Sequence, residues 1–109
     1  MPDPRTAGDY LRTVYLGAAP LARSVLYTAD TNVRCLVRHL GVANTTGAVR
    51  TVSVWIGGVL LVPSRSVDPT DTLAFDVSMY HLAPGQSLEA QADAAGVNLA
   101  VFGVEEVTQ

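Results

Sequence analysis

The side chains that could do chemistry are few: His39 and His81 are the two imidazoles, Cys35 is the one thiol, and the acids are spread thinly. A metal site needs three or four converging ligands. The acids nearest His81 in sequence, Asp76 and Glu89, stand at no recognised ligand spacing, so one chain is expected to bind no metal, although a three-fold assembly would bring three copies of one histidine together. Ser78 and Asp76 share a parity on an alternating strand, but His81 lies at the strand end with the opposite parity, and no G-x-S-x-G turn is present. Polar residues on a solvent or interface face are the reading preferred to a nucleophile. Asp68, Asp71 and Asp76 lack the loop pattern of a calcium site, and Gly57-Gly58 lacks the lysine of a phosphate loop. No catalytic residue, cofactor or metal ligand is assigned, and the chain is read as a non-enzyme.

The single cysteine excludes an internal disulfide, and its place in an apolar strand makes it a small buried hydrophobe. Three aromatic residues remain as exposed candidates: Tyr10, Trp55 and Tyr80. Exposed aromatics serve as protein-interface anchors or as sugar-stacking platforms. Trp55 shares its strand face with Thr51 and Ser53, so the N-terminal segment is an alternative cover for it.

The elements that must position these residues are short strands. From Arg23 onward, apolar alternation is broken by turn residues every eight to twelve positions: "RSVLYT", "VRCLVRHLGVAN", "RTVSVWI", "VLLVPSRSV", "TLAFDVSMY", "SLEAQA" and "VNLAVFGV". In "TLAFDVSMY", Leu73, Phe75, Val77 and Met79 form the inward set. "VRCLVRHLGVAN" is apolar on both parities, which requires either cover on both faces or a bulge near Gly41. "NTTG" at 44–47 reads as a hairpin turn with a glycine available for positive φ, and Pro63 places its strand at an edge. Residues 1–20, with Pro2, Pro4 and Pro20, read as an extended N-terminal arm carrying one short strand in "RTVYLG". The expected fold is all-β: an antiparallel β-sandwich of about eight strands over residues 21–109, jelly-roll or immunoglobulin-like.

At 109 residues the chain is one domain in length, and 49% apolar against 16% charged leaves apolar surface for a partner. The net charge is −3, and the seven arginines, at 5, 12, 23, 34, 38, 50 and 65, form no basic block. No nucleic-acid partner is therefore expected. "MPDPRTAGDY" is unlike a secretory leader, and no apolar run approaches the ~20 residues that span a bilayer, so synthesis in the cytoplasm without membrane insertion is expected.

Three segments, "LGAAPLARSVLYTAD", "HLGVANTTGAVRTVSVWIGG" and "LAPGQSLEAQADAAGVNLAVFGVEE", together resemble a pattern recurrent in small virion proteins of tailed bacteriophages. The likeness spans roughly residues 14–106 and lies in turns and core positions; "TADTN" departs from it by lacking the usual Pro and Gly. The absence of lysine beside abundant Ala, Val, Gly and Arg is consistent with a high-GC host. The resemblance implies a non-enzymatic virion component, usually symmetric and often trimeric. Its preferred form is a capsid decoration or cement protein on the outer shell, bridging major capsid proteins. The alternatives are a tail, baseplate or neck protein and, in a different class, a carbohydrate-binding module using Trp55 and Tyr80. The candidate assembly interface comprises Tyr10, Tyr15, Pro20, Trp55 and Tyr80.

Overall fold

Alternation along each strand sends one side chain in two toward a shared interior, and the computed structural model describes the result over residues 5–75 and 80–108. Among the described residues nine strands follow in chain order: β1 (Gly8–Ala18), β2 (Ser24–Thr28), β3 (Val33–Asn44), β4 (Arg50–Ile56), β5 (Val59–Val67), β6 (Thr72–Phe75), β7 (Tyr80–Leu82), β8 (Ser87–Ala92) and β9 (Val97–Val107). One sheet has the order β1-β9-β3-β6, with β7 also paired to β3, and the other has the order β2-β8-β4-β5. All pairings are antiparallel.

The pairings nest. β4 pairs with β5, β3 with β6 and β7, β2 with β8, and β1 with β9, so the chain is one long hairpin whose tip is Gly57-Gly58. Rolling that hairpin up brings β9 against β3 and β8 against β4. This is the jelly-roll order, which settles the choice between the two topologies the sequence allowed. Gly57 and Gly58 have φ of 59° and 83°, the left-handed pair required by a two-residue turn that matches strand twist.

Nesting corrects the reading of 44–47 as a hairpin turn. β3 and β4 lie in different sheets, and the turn is an arch between them. Gly47 is not among the positive-φ glycines; the arch is held instead by Asn44, which is 2% exposed. Its Nδ2 donates to the carbonyls of Ala48 (2.8 Å) and Val67 (3.0 Å), and its Oδ1 accepts from the Thr46 amide (3.0 Å) and hydroxyl (2.7 Å). A buried amide with both ends satisfied fixes the arch to the end of β5.

The double parity of β3 has its explanation in a bulge, between Val37 and His39 rather than at Gly41. β1 bulges at the same level, between Thr13 and Tyr15, so β9 is flanked on both sides by irregular ladders near Phe102. Gly103 permits the crossing: a Cβ there would stand 2.3 Å from the Leu36 carbonyl oxygen. The arm expected over residues 1–20 carries a longer strand than anticipated, and β1 pairs with β9 along its length. Apolar pairing partners on β9 account for its docking.

Leu40, Leu82, Leu88 and Leu99 are the largest fully buried side chains, surrounded by valines from both sheets. Leu73 and Phe75, expected inward, are half-buried and pack against this core; Val77 and Met79 lie outside the described residues.

Candidate assembly interface

β1 brings Tyr10 and Tyr15 into the larger sheet. The Tyr10 hydroxyl donates to the Thr6 carbonyl (2.7 Å), with the Arg5 guanidinium 4.7 Å from the ring centre. Tyr15 is half-buried against the core and donates to the Ala18 carbonyl. The Pro20 carbonyl accepts from the Ala92 amide (2.8 Å), tying the β1–β2 connection to β8. Trp55 lies on the smaller sheet with Arg23 stacked 4.4 Å from its ring, and Tyr80, on β7 of the larger sheet, packs against the core. The five nominated residues are therefore divided between the sheets, and Trp55 and Tyr80 belong to different ones.

His39 and His81 are both exposed and both belong to the larger sheet, with the His39 ring 5.8 Å from Phe102. Among the described residues no three His, Cys, Asp or Glu side chains are grouped to hold a metal; Ser78 and Asp76 lie outside them. Cys35 is fully buried.

Charge enters the interior at one point. Glu105, 3% exposed on β9, accepts from the Tyr27 hydroxyl and from Arg5 Nη2 (2.6 Å), while Arg12 stands at 3.8 Å. Burial, and then the bond to Glu105, push the Tyr27 hydroxyl far above the usual phenol range. Burial also raises the Cys35 thiol, which keeps it protonated and unreactive. This cluster can anchor the N-terminal residues to the core, because it satisfies a buried carboxylate with hydrogen bonds from Arg5 and Tyr27 and with the nearby charge of Arg12.

A feature the aromatic residues did not reveal is the outer face of the larger sheet. Leu11 is 91% exposed, Leu16 68% and Phe102 40%. Leu11 pairs with Val104, which pairs in turn with Leu36, while Leu16 pairs with Ala100, which pairs with Gly41. Residues opposite one another across a ladder share a face, so these side chains form one apolar surface. Where Gly41, Ala43 and Ala100 follow one another the small side chains leave a depression of about 390 Å³, bordered by Leu16 and His39. The sequence carried the signal: both parities of β9 are apolar, with Leu99 and Val101 buried and Ala100, Phe102 and Val104 on the alternate positions. A second apolar group, Val59, Leu60 and Leu61, follows the Gly57-Gly58 tip on the other sheet.

No family model and no curated protein matches the chain. In solved structures it is similar to a pentameric capsid protein isolated from metagenomic phage sequences, at 20% identity and a TM-score of 0.41, covering 87% of this chain and 61% of that one. A second structure of a protein so described, solved by iodide phasing, gives 20% identity, a TM-score of 0.40, and coverage of 87% and 62%. The chain thus spans about three-fifths of the length of the capsid proteins it matches.

Proposed function

We propose that this chain is a non-enzymatic structural protein of a tailed-phage virion, a homo-oligomeric decoration or cement protein that binds the major capsid protein lattice and stabilises the shell. The observation that carries the reading is the placement of its exposed apolar side chains. Six of the nine large exposed hydrophobics among the described residues fall in two places: Leu11, Leu16 and Phe102 on the outer face of the larger sheet, and Val59, Leu60 and Leu61 at the start of the edge strand β5, where successive side chains turn to opposite sides. Exposed apolar surface of this kind marks a contact site. A lattice-binding oligomer needs two such surfaces, one for its own copies and one for the shell. Tyr10, Tyr15, Pro20, Trp55 and Tyr80 are proposed as further members of the assembly interface, and Tyr10, Tyr15 and Pro20 also fasten the N-terminal segment.

Quantitative mass spectrometry of purified particles tests the reading. A copy number near that of the major capsid protein is the expected result. A few dozen copies or fewer would place the protein in the tail or neck, and none would end the virion reading. Replacing Leu60 and Leu61 with Asp should abolish attachment to shells while the soluble protein stays folded.

A further inference from the structure

We infer that the outer face of the β1-β9-β3-β6 sheet is a self-association surface, on which a second copy of this chain packs about a two-fold axis passing near Phe102. The inference deepens the structural-protein reading above and rests on it for its place in an assembly.

The face carries a projection and a hollow at opposite ends. Leu11, the most exposed large hydrophobic, lies at the level of Val104, whereas the hollow over Gly41 and Ala100 lies at the level of Leu16. Midway between them on β9 is Phe102. A two-fold axis at that midpoint places Leu11 of each copy over the hollow of the other, and sets Phe102 against its own counterpart. Such an isologous contact is closed, with each residue meeting its partner reciprocally. The bulges on β1 and β3 beside Phe102 place this midpoint where the sheet bends.

Size agrees. Strands β1, β9 and β3, eleven or twelve residues long, lie about 4.8 Å apart and rise about 3.4 Å per residue, and with the short β6 and β7 along one edge they give a face of roughly 650 Å². A specific interface buries roughly 800 Å² on each partner. Charge is compatible as well: the acids and the arginine paired across this face, Asp9, Arg34 and Glu106, sit at its far end, where Arg34 and Glu106 pair, and beside Phe102 the centre carries the His39 imidazole and Thr13. Two sheets facing across such a centre pack like the halves of a sandwich.

Sedimentation velocity on the full chain tests this. The expected species is a dimer with a dissociation constant on the order of 1 µM or tighter. Leu11→Asp and Ala100→Arg should each weaken it at least about tenfold, whereas Ser53→Asp, on the other sheet, should leave it unchanged. Leu11 is so exposed that its replacement leaves the fold intact, as circular dichroism would verify. Phe102→Cys should cross-link to itself with a short bis-maleimide, because facing sheets lie about 10 Å apart and a direct disulfide would not reach, and Leu11→Cys should not, with Cys35 too buried to interfere. A wild-type monomer, a trimer, or a dimer indifferent to both Leu11→Asp and Ala100→Arg would overturn the inference. A monomer that still decorates particles would sink the inference and leave the virion reading standing. A face-dependent dimer absent from particles would do the reverse.

Discussion

The two sheets share one core and differ on their outer faces. On the smaller sheet polar side chains are partnered within the chain: Arg23 donates to both carboxylate oxygens of Glu89 (3.0 and 3.1 Å) while stacking on Trp55, Thr28 bonds Ser87 (2.7 Å), and Ser53 Oγ accepts from the Ser64 amide (2.9 Å). On the larger sheet the equivalent positions are Leu11, Leu36, Ala100, Phe102 and Val104. The larger sheet keeps Glu105 on its inner side and pairs Glu106 with Arg34 at one end of its outer face, and the smaller keeps Glu89 on its outer side. An antiparallel sheet with one wet face needs apolar residues on only one parity. A strand apolar on both, such as β9, implies a second surface to be covered.

The sharpest way to break this contrast is at Gly103, where β9 and the bulged β3 approach closely. Gly103→Val drives a side chain into the Leu36 carbonyl, which the ladder holds in place, and should cost about 3 kcal/mol or more. Urea unfolding measures it, with Gly47→Ala as the comparison. A Cβ at Gly47 meets nothing within 4 Å, so that midpoint should barely move. Equal midpoints for the two variants would mean that the crossing is looser than the geometry requires.

Next in size is the inner charge. Glu105→Gln keeps the shape of the side chain but strips the charge that Arg5 and Arg12 face, and should lower stability by about 2 kcal/mol. The same change at Glu89, whose partner is exposed, should be much smaller in the same assay. A reversal of that ranking would show that the two carboxylates do not differ as their burial implies.

Much of this architecture was legible in the sequence, because alternation and turn residues are local signals. β2 through β5, β8 and the start of β9 lie where the apolar alternation put them, and Cys35 is buried as its strand context required. The arches were not legible. "NTTG" has the composition of a hairpin turn, and only the ladder partners of β3 and β4 reveal that the chain changes sheet there. The bulge on β3 was visible as a conflict of parity, but its position depended on Gly103, more than sixty residues away in sequence. The candidate surface was least legible. Tyr and Trp are the side chains that composition marks as anchors, whereas the exposed apolar face is built from Leu, Ala and Phe102, residues that read as core until their pairing register is known.

The inner cluster also makes a pH prediction. The Tyr27 hydroxyl is held protonated in the folded protein, while in the unfolded chain it ionises near pH 10. A group whose pKa is raised by folding contributes fully below its unfolded value, and that contribution is lost as pH rises. Stability should therefore fall by about 1.4 kcal/mol per pH unit above roughly pH 10. Tyr27→Phe, though less stable at neutral pH for want of its bond to Glu105, should lose this part of the alkaline slope. An unchanged slope would assign the alkaline sensitivity to the other tyrosines.

The smallest effect belongs to the outer ion pair, and it is informative because it should be nearly silent. Glu89, through both its hydrogen bonds and its charge, raises the Arg23 guanidinium, but Arg23 is open to solvent and water replaces what Glu89 supplies. Arg23→Ala should leave the urea midpoint within experimental error. It should nevertheless alter the fluorescence of Trp55, the one tryptophan, because the cation 4.4 Å above its ring is gone and the indole becomes more hydrated. A changed spectrum with an unchanged midpoint separates the polar groups on the outer face of the smaller sheet, satisfied by one another and by water, from the apolar centre of the larger. A large loss of stability would instead mean that the outer face of the smaller sheet contributes to the fold as the buried Glu105 cluster does.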